Sequence, residues 1–270
     1  MDLGTVDDIL LPSTRTDLPP GRADTAVLAG GTWLFSEKQD HLRTLVDVTA
    51  LGWEPLSVTE AGLEIAATCT IETLARFDSQ WPATELFPRC AAALLASFKI
   101  WKTATVGGNI ALSLPAGAMI SLTAALDGVG QVWSASGPDH DYRLAIDELI
   151  TGPHANALAP GDVLRSIMIP RHALEARTAM RKLALSPLGR SAAVVIGRVD
   201  ADGQFVLTVS ASTVRPFVLR FPALPTATEL GDALDESIGP QHWYDDPHGA
   251  PDWRRHISCT AAQQIREELS

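Results

Sequence analysis

Two short stretches share one local pattern. Val27-Leu28-Ala29-Gly30-Gly31-Thr32 and Ala104-Thr105-Val106-Gly107-Gly108-Asn109 each run from β-prone residues into a glycine pair and then a small polar side chain. Glycine inside an apolar segment costs about 0.5–1 kcal/mol of backbone entropy relative to alanine. Either the chain turns sharply there, or another group comes closer to the main chain than a Cβ allows. Successive glycine N–H groups form a concavity that accepts anionic oxygens, and a phosphate reaches the main chain where no Cβ intervenes. Thr32 and Asn109 would add side-chain hydrogen bonds. Two such loops face to face would suit a pyrophosphate. A lone Gly-Gly, however, is most often an ordinary turn. Neither pair fits G-x-G-x-x-G or G-x-x-x-x-G-K-[ST], which disfavours a Rossmann or P-loop site.

Other groups that carry chemistry offer less. His242, Asp245, Asp246 and His248 lie in a turn-rich stretch without regular ligand spacing, and read as a solvated loop rather than a metal site. His140 and His154 read as surface residues, and Asp47 and Glu72 as surface or capping residues. No G-x-S-x-G elbow is present, and no pair of carboxylates suggests an acid–base dyad. Cys69, Cys90 and Cys259 are far apart in sequence, form no C-x-x-C pair and cannot by themselves build a four-cysteine zinc or iron–sulfur site. They fit a reducing compartment, where a free cysteine behaves as a small buried hydrophobe. No catalytic residue and no metal ligand is assigned.

The elements that must hold the glycine pairs are legible in outline. Residues 26–29 read as a short strand running straight into Gly30, and 45–48 as a second buried strand. Gly62 to Thr68 alternates with period two, as a half-buried strand does. Thr70 opens a helix-like segment, and 84–99 is the clearest helical stretch. Ala118 to Leu126 reads as a buried helix-like segment. Gly130 to Ser134 and Asp162 to Pro170 read as strands, the latter ended by proline, which cannot donate to a ladder. Residues 192–199 and 204–209 flank Asp200-Ala201-Asp202-Gly203, a hairpin signature. Helices are expected over Thr226–Ser237, capped by Thr226 or Thr228, and from about Pro251 to Leu269.

The 270 residues suffice for one large or two modest domains. A net charge of −11 argues against a nucleic-acid partner, which calls for clustered Lys and Arg, and suits anionic membranes poorly. The acidic N-terminus lacks a signal-peptide pattern, and no stretch approaches the roughly 20 apolar residues of a spanning helix. The expected location is cytoplasmic.

LAGGTWL and TVGGNIA are similar to the two flavin-loop motifs, approximately A-G-G-T-D-L and A-T-I-G-G-N-I, of the FAD-binding (medium) subunit of molybdenum hydroxylases. That group contains xanthine dehydrogenase and carbon monoxide dehydrogenase. Asp162 to Pro170 resembles the family's strand ending in I-x-I-P, and Asp252 to His256 its late Y-R-R-H helix start. The resemblance spans nearly the whole chain. It implies an α+β fold: a two-lobed FAD-binding domain over residues 1–171 (lobes about 1–55 and 56–171), then a smaller α+β domain with an antiparallel sheet over 172–270. It implies FAD between the lobes, contacted by Leu28, Ala29, Gly30, Gly31, Thr32, Trp33 and Leu34 and by Thr105, Gly107, Gly108 and Asn109. Leu164 and Lys182 would lie near the flavin ring. Molybdopterin and [2Fe-2S] clusters would sit on a large and a small partner subunit, with electrons passing through FAD to NAD⁺, a quinone or oxygen.

Three positions depart from the family pattern. Trp33 stands where many relatives have Asp, Trp101-Lys102 where R-N is common, and Leu114 to Ala118 where S-P-x-x-D is common. A lost hydrogen bond to a charged group costs about 1.5–3 kcal/mol, on the order of ten- to a hundred-fold in affinity. Weakened or reoriented FAD binding is therefore expected, with Trp33 and Trp101 as candidates to compensate by stacking or as plain core or interface residues. The alternative is a non-enzymatic assembly or regulatory subunit that kept the fold but lost or weakened FAD binding.

Overall fold

Three larger sheets follow one another along the chain in the computed structural model, which describes residues 3–270, beside a small two-stranded one. Met1 and Asp2 of the N-terminal stretch lie outside the described residues. The first sheet is parallel and consists of β1 (Asp8–Leu10), β2 (Thr25–Leu28) and β3 (Thr44–Asp47), with β3 in the middle. Leu28, Leu42 and Leu45 close a small core against it. Parallel neighbours cannot be joined by a tight hairpin, so the chain leaves β2 by a long excursion. Gly30-Gly31 is the first bend of that excursion.

The second sheet takes β4 (Leu56–Thr59), β5 (Gly62–Ala66), β6 (Val129–Trp133), β7 (Tyr142–Ala145) and β10 (Val163–Pro170), while β8 (Ile150–Gly152) and β9 (Ala155–Asn156) pair apart. Its order is β4-β5-β10-β6-β7, antiparallel throughout. The period-two pattern is realised in β5, where Leu63 and Ile65 are fully buried and Glu64 points outward. The third sheet runs in sequence order through β11 (Arg177–Leu183), β12 (Ala193–Val199), β13 (Phe205–Ser210) and β14 (Phe217–Phe221). The expected hairpin is β12–β13, turned by Asp200 to Gly203 with φ of 88° at Gly203. Two helices flank it. Ala227–Ser237 opens with a capping box between Thr226 and Glu229, and Pro251–Glu268 opens with proline in its first turn.

Two helical expectations are corrected. The stretch 84–99 is not one helix. A 3-10 turn, Pro82–Glu85, leads into Leu86–Ala93, which ends before Leu95 at φ 52°, and a separate short helix covers Phe98–Trp101. Gly107-Gly108 is not a turn after a strand but the first turn of the helix Val106–Leu112. Thr105 overrides the weak helix propensity of its glycines by capping that turn.

The helix Ala118–Ala125 is buried at every residue and packs on β12 and β13, as a helix without a polar face must. Ser121 and Ser210 meet through their hydroxyls at 2.7 Å. Just beyond, Asp127 pairs with Arg198 and Arg220, and Arg198, fully buried, also donates to the Ala125 carbonyl and to Asp200. Burial pushes the Asp127 carboxyl up, but hydrogen bonds from the two guanidinium groups outweigh it and hold the acid at about 2. In the last helix Arg254 donates to the carbonyls of Ala192, Ala211 and Gly249 and pairs with Asp246, so Asp246 is already engaged. No helix among the described residues is long and apolar enough to cross a membrane.

Candidate functional site

The two glycine stretches meet in space. A Cβ on Gly30 would fall 1.8 Å from the Thr103 carbonyl oxygen, so only glycine lets the first corner rest against the chain entering the second. The second corner is tied in turn to the end of β5. Val106 N–H donates to Cys69 O and Gly107 N–H to Ala67 O, both at 2.9 Å. A Cβ on Gly107 would lie 2.3 Å from that of Ala67.

Their main chains are used differently. At the first corner Gly31 is left-handed, with φ of 66°, and its carbonyl accepts from Phe35 N–H. The N–H groups of Gly30, Gly31, Thr32, Trp33 and Leu34 have no hydrogen-bond partner among the described residues. At the second corner the donors are spent. Gly108 N–H goes to Thr105 Oγ1 at 3.0 Å, and Asn109 N–H to Thr105 O at 3.0 Å. Asn109 Oδ1 accepts from Met119 N–H at 3.0 Å and so caps the buried helix. The sequence reading treated the two pairs alike; as donors they are not.

Between the corners lies a cleft of about 470 Å³. Ala29, Gly30, Gly31, Thr32, Trp33 and Leu34 form one wall, with Thr105, Gly107, Gly108, Asn109 and Leu164 opposite or beneath. Leu28 and Lys182 are not on its surface. Leu28 packs in the small core of the first sheet, and Lys182 donates to Gly189 O at 2.9 Å beside a separate shallow pocket. Trp33 is on the wall, its ring 5.7 Å from that of His154. Trp101 instead packs against the main core, its indole N–H buried without a partner among the described residues. Leu114 reaches the cleft, while Ala118 is buried and presents only a methyl group.

Several lining residues carried no signal in the sequence. Leu94 and Ala96 come from the break after Leu86–Ala93, Ile100 from the short helix Phe98–Trp101, Leu112 from the end of the glycine-bearing helix, and Asp162 from the entry to β10. Aliphatic side chains scattered over distant segments have no spacing to reveal them. Among the described residues Asp162 is the one ionisable residue on the wall, and its carboxylate is taken up. It accepts from Ala135 N–H at 2.9 Å, Ala159 N–H at 3.0 Å and Tyr142 Oη at 2.7 Å. Burial and then Asp162 push the Tyr142 phenol up to about 12. Burial likewise pushes the Cys69 and Cys90 thiols up to about 12, far from a reactive thiolate. The cleft therefore holds a row of open main-chain donors on a largely apolar surface. That combination fits an anionic group joined to flat apolar rings.

Residues 14–172 match the family model described as FAD binding domain in molybdopterin dehydrogenase, more than half of the chain. The chain belongs to this family. The chain is 28% identical over 151 residues to the carbon monoxide dehydrogenase medium chain of Afipia carboxidovorans, an alignment that covers 54% of this chain and 51% of that one. The chain thus spans about half the length of the curated relative it matches. Among solved structures it superposes on reconstituted CO dehydrogenase from Oligotropha carboxidovorans with a TM-score of 0.80, at 20% identity over 100% of this chain and 99% of that one. Quinoline 2-oxidoreductase from Pseudomonas putida 86 gives 0.79 at 16% identity, over 100% and 98%. At such identities these structures establish the fold: the α+β architecture of the family's flavoprotein subunits.

Proposed function

We propose that this chain is the FAD-carrying electron-transfer subunit of a heteromeric molybdenum hydroxylase. The observation that carries the reading is the unspent row of N–H groups from Gly30 to Leu34 on the wall of the cleft. These donors hold the diphosphate, with the Thr32 hydroxyl and the Asn109 amide as side-chain additions. Leu28 supports the corner from its packed side, and Leu34, Leu94, Ile100 and Leu164 exclude water from the ring-binding part. FAD held there would supply the redox chemistry by which electrons from the [2Fe-2S] clusters of a small partner subunit would reach NAD⁺, a quinone or oxygen. A large subunit carries the molybdopterin, and a relative named as a medium chain supports an assembly of this kind. Residues 1–171 form the FAD-binding domain and 172–270 the accessory C-terminal domain of a cytoplasmic complex.

A second reading, an assembly or regulatory subunit with weak or lost flavin binding, is favoured by one observation. Ala118 and Leu114 place apolar groups where relatives commonly carry a hydrogen-bonding serine and acid. The absorption spectrum of the purified chain separates the two. Near-stoichiometric flavin, or uptake of added FAD, supports the first. A colourless chain whose spectrum and melting temperature ignore added FAD overturns it in favour of the second.

A further inference from the structure

Away from the cleft wall, β10 contains an irregularity that re-aims one side chain. Leu164 pairs with Val132 and Ser166 with Gln131, so Arg165 is an extra residue without a counterpart on β6. Bulges of this kind redirect a side chain at the cost of a ladder contact. Arg165 is directed onto two indoles. Its guanidinium lies 4.4 Å from the Trp53 ring and 5.8 Å from the Trp133 ring, and the two rings meet edge to face at 5.3 Å. Arg15 covers Trp133 at 5.0 Å, but its own donors are taken by Asp141.

Arg165 differs from Arg15 in one respect. Its side chain makes no hydrogen bond and no ion pair among the described residues, although it is half-buried. Glu64 on β5 is the carboxylate whose charge acts on it, yet no ion pair joins them. A planar fork of five donors, fixed between aromatic faces, is thus left open. The cluster is distinct from the cleft. Val48 and Val163 pack against the two tryptophans and also line the cleft, whereas Arg165, Trp53 and Trp133 do not line it.

We propose that Arg165, held by Trp53 and Trp133, is the anchor of a protein–protein interface and receives a carboxylate from an acidic segment of a partner subunit. Tryptophan and arginine are the residue types that dominate binding energy at interfaces. A pre-oriented guanidinium recognises a carboxylate through two parallel hydrogen bonds. The inference rests on the subunit reading above.

The test uses the complex reconstituted from this chain and its large and small partner subunits. Arg165→Glu and Trp53→Ala should each weaken association about tenfold or more, as hot-spot substitutions do. Arg165→Gln should weaken it less and reduce the sensitivity of association to added salt. Flavin content and melting temperature of the free chain should stay at the wild-type values in Arg165→Gln, which keeps most of the packing over the indoles. Unchanged association in the Arg165 variants overturns the proposal. So does a loss of free-chain stability or flavin that accounts for the whole effect, which would make the cluster a structural clasp. Arg165-dependent binding of inorganic phosphate with unchanged assembly would make it a small-anion site instead, and also overturns it. If the wild-type chain binds neither subunit, the subunit reading fails first and this inference falls with it.

Discussion

The two glycine corners look alike in sequence and do opposite work. At Gly30-Gly31 the chain is held open: Gly31 is left-handed, and the donors from Gly30 to Leu34 have no partner among the described residues. At Gly107-Gly108 the chain is closed upon itself. The donors from Val106 to Asn109 go to Cys69, Ala67 and Thr105. The missing Cβ atoms serve the protein's own packing in both places, against Thr103 at Gly30 and against Ala67 at Gly107. A glycine pair therefore does not by itself announce a ligand. What marks a ligand is the balance of main-chain donors left over after the fold has taken its share.

That asymmetry can be broken most forcefully at the two close approaches. Gly30→Ala sets a methyl group against the Thr103 carbonyl, and Gly107→Ala sets one against Ala67. Neither neighbour is the far end of a flexible side chain, so each variant should lose about 1–3 kcal/mol of stability, the usual cost of overpacking. Urea unfolding followed by circular dichroism measures this. The two should diverge in flavin. Moving Gly30 displaces the open row, and losing even one or two hydrogen bonds to a charged diphosphate costs on the order of a hundred-fold in FAD affinity. Gly107→Ala should cost less than about tenfold, because its donor is already committed to Ala67. Equal losses of FAD in titrations of the two variants would erase the distinction.

Gly31 gives a smaller effect and a sharper test. Alanine in the left-handed region costs about 1–2 kcal/mol, and its methyl would meet the Phe35 ring at 2.5 Å. Asparagine tolerates that region better. Gly31→Asn should therefore retain more FAD than Gly31→Ala, despite its larger side chain. The reverse order would show that space, not backbone conformation, decides at this corner.

How much of this was visible beforehand depends on how local the cause is. The β12–β13 hairpin, the helix start capped by Thr226 and the alternation of β5 are set by neighbours in sequence, and all three were legible, the cap as one of two candidate threonines. The helix at Val106 was not. Thr105, Val106 and two glycines form helix poorly on their own, and the turn stands because Cys69 and Ala67 accept its first N–H groups. The break at Leu95 was hidden for the same reason. An Ala/Leu-rich run carries no stop signal, yet the chain bends there to deliver Leu94, Ala96 and Ile100 to the cleft. Of the cleft itself, the glycine-bearing walls could be read from their motifs. The aliphatic wall and Asp162 could not, since their role comes from convergence of distant segments.

Two gentler substitutions probe the closed corner. Thr105→Ala removes the hydroxyl that caps Gly108 N–H and should cost about 1 kcal/mol, a typical value for a lost N-cap. It also frees that N–H toward the cleft, so FAD affinity should hold or rise slightly while the melting temperature falls. A drop in both would mean that the threonine hydroxyl itself contacts the cofactor.

Gly108→Ala should have the smallest effect of all. Its Cβ would meet a single atom, Thr105 Oγ1 at 2.9 Å, with no backbone in the way. Alanine gains up to about 1 kcal/mol over glycine within a helix, and displacing the capping hydroxyl returns a similar amount. Stability should therefore move little, and a methyl group at the edge of the cleft should leave FAD uptake intact. Gly108→Leu extends the same vector into the cleft, and should abolish uptake while the helix still forms. If Gly108→Ala already strips the flavin, the main chain of the second corner must press directly on the cofactor. The two corners would then be equal partners, as their sequences suggest, and the count of unspent donors would be the wrong guide.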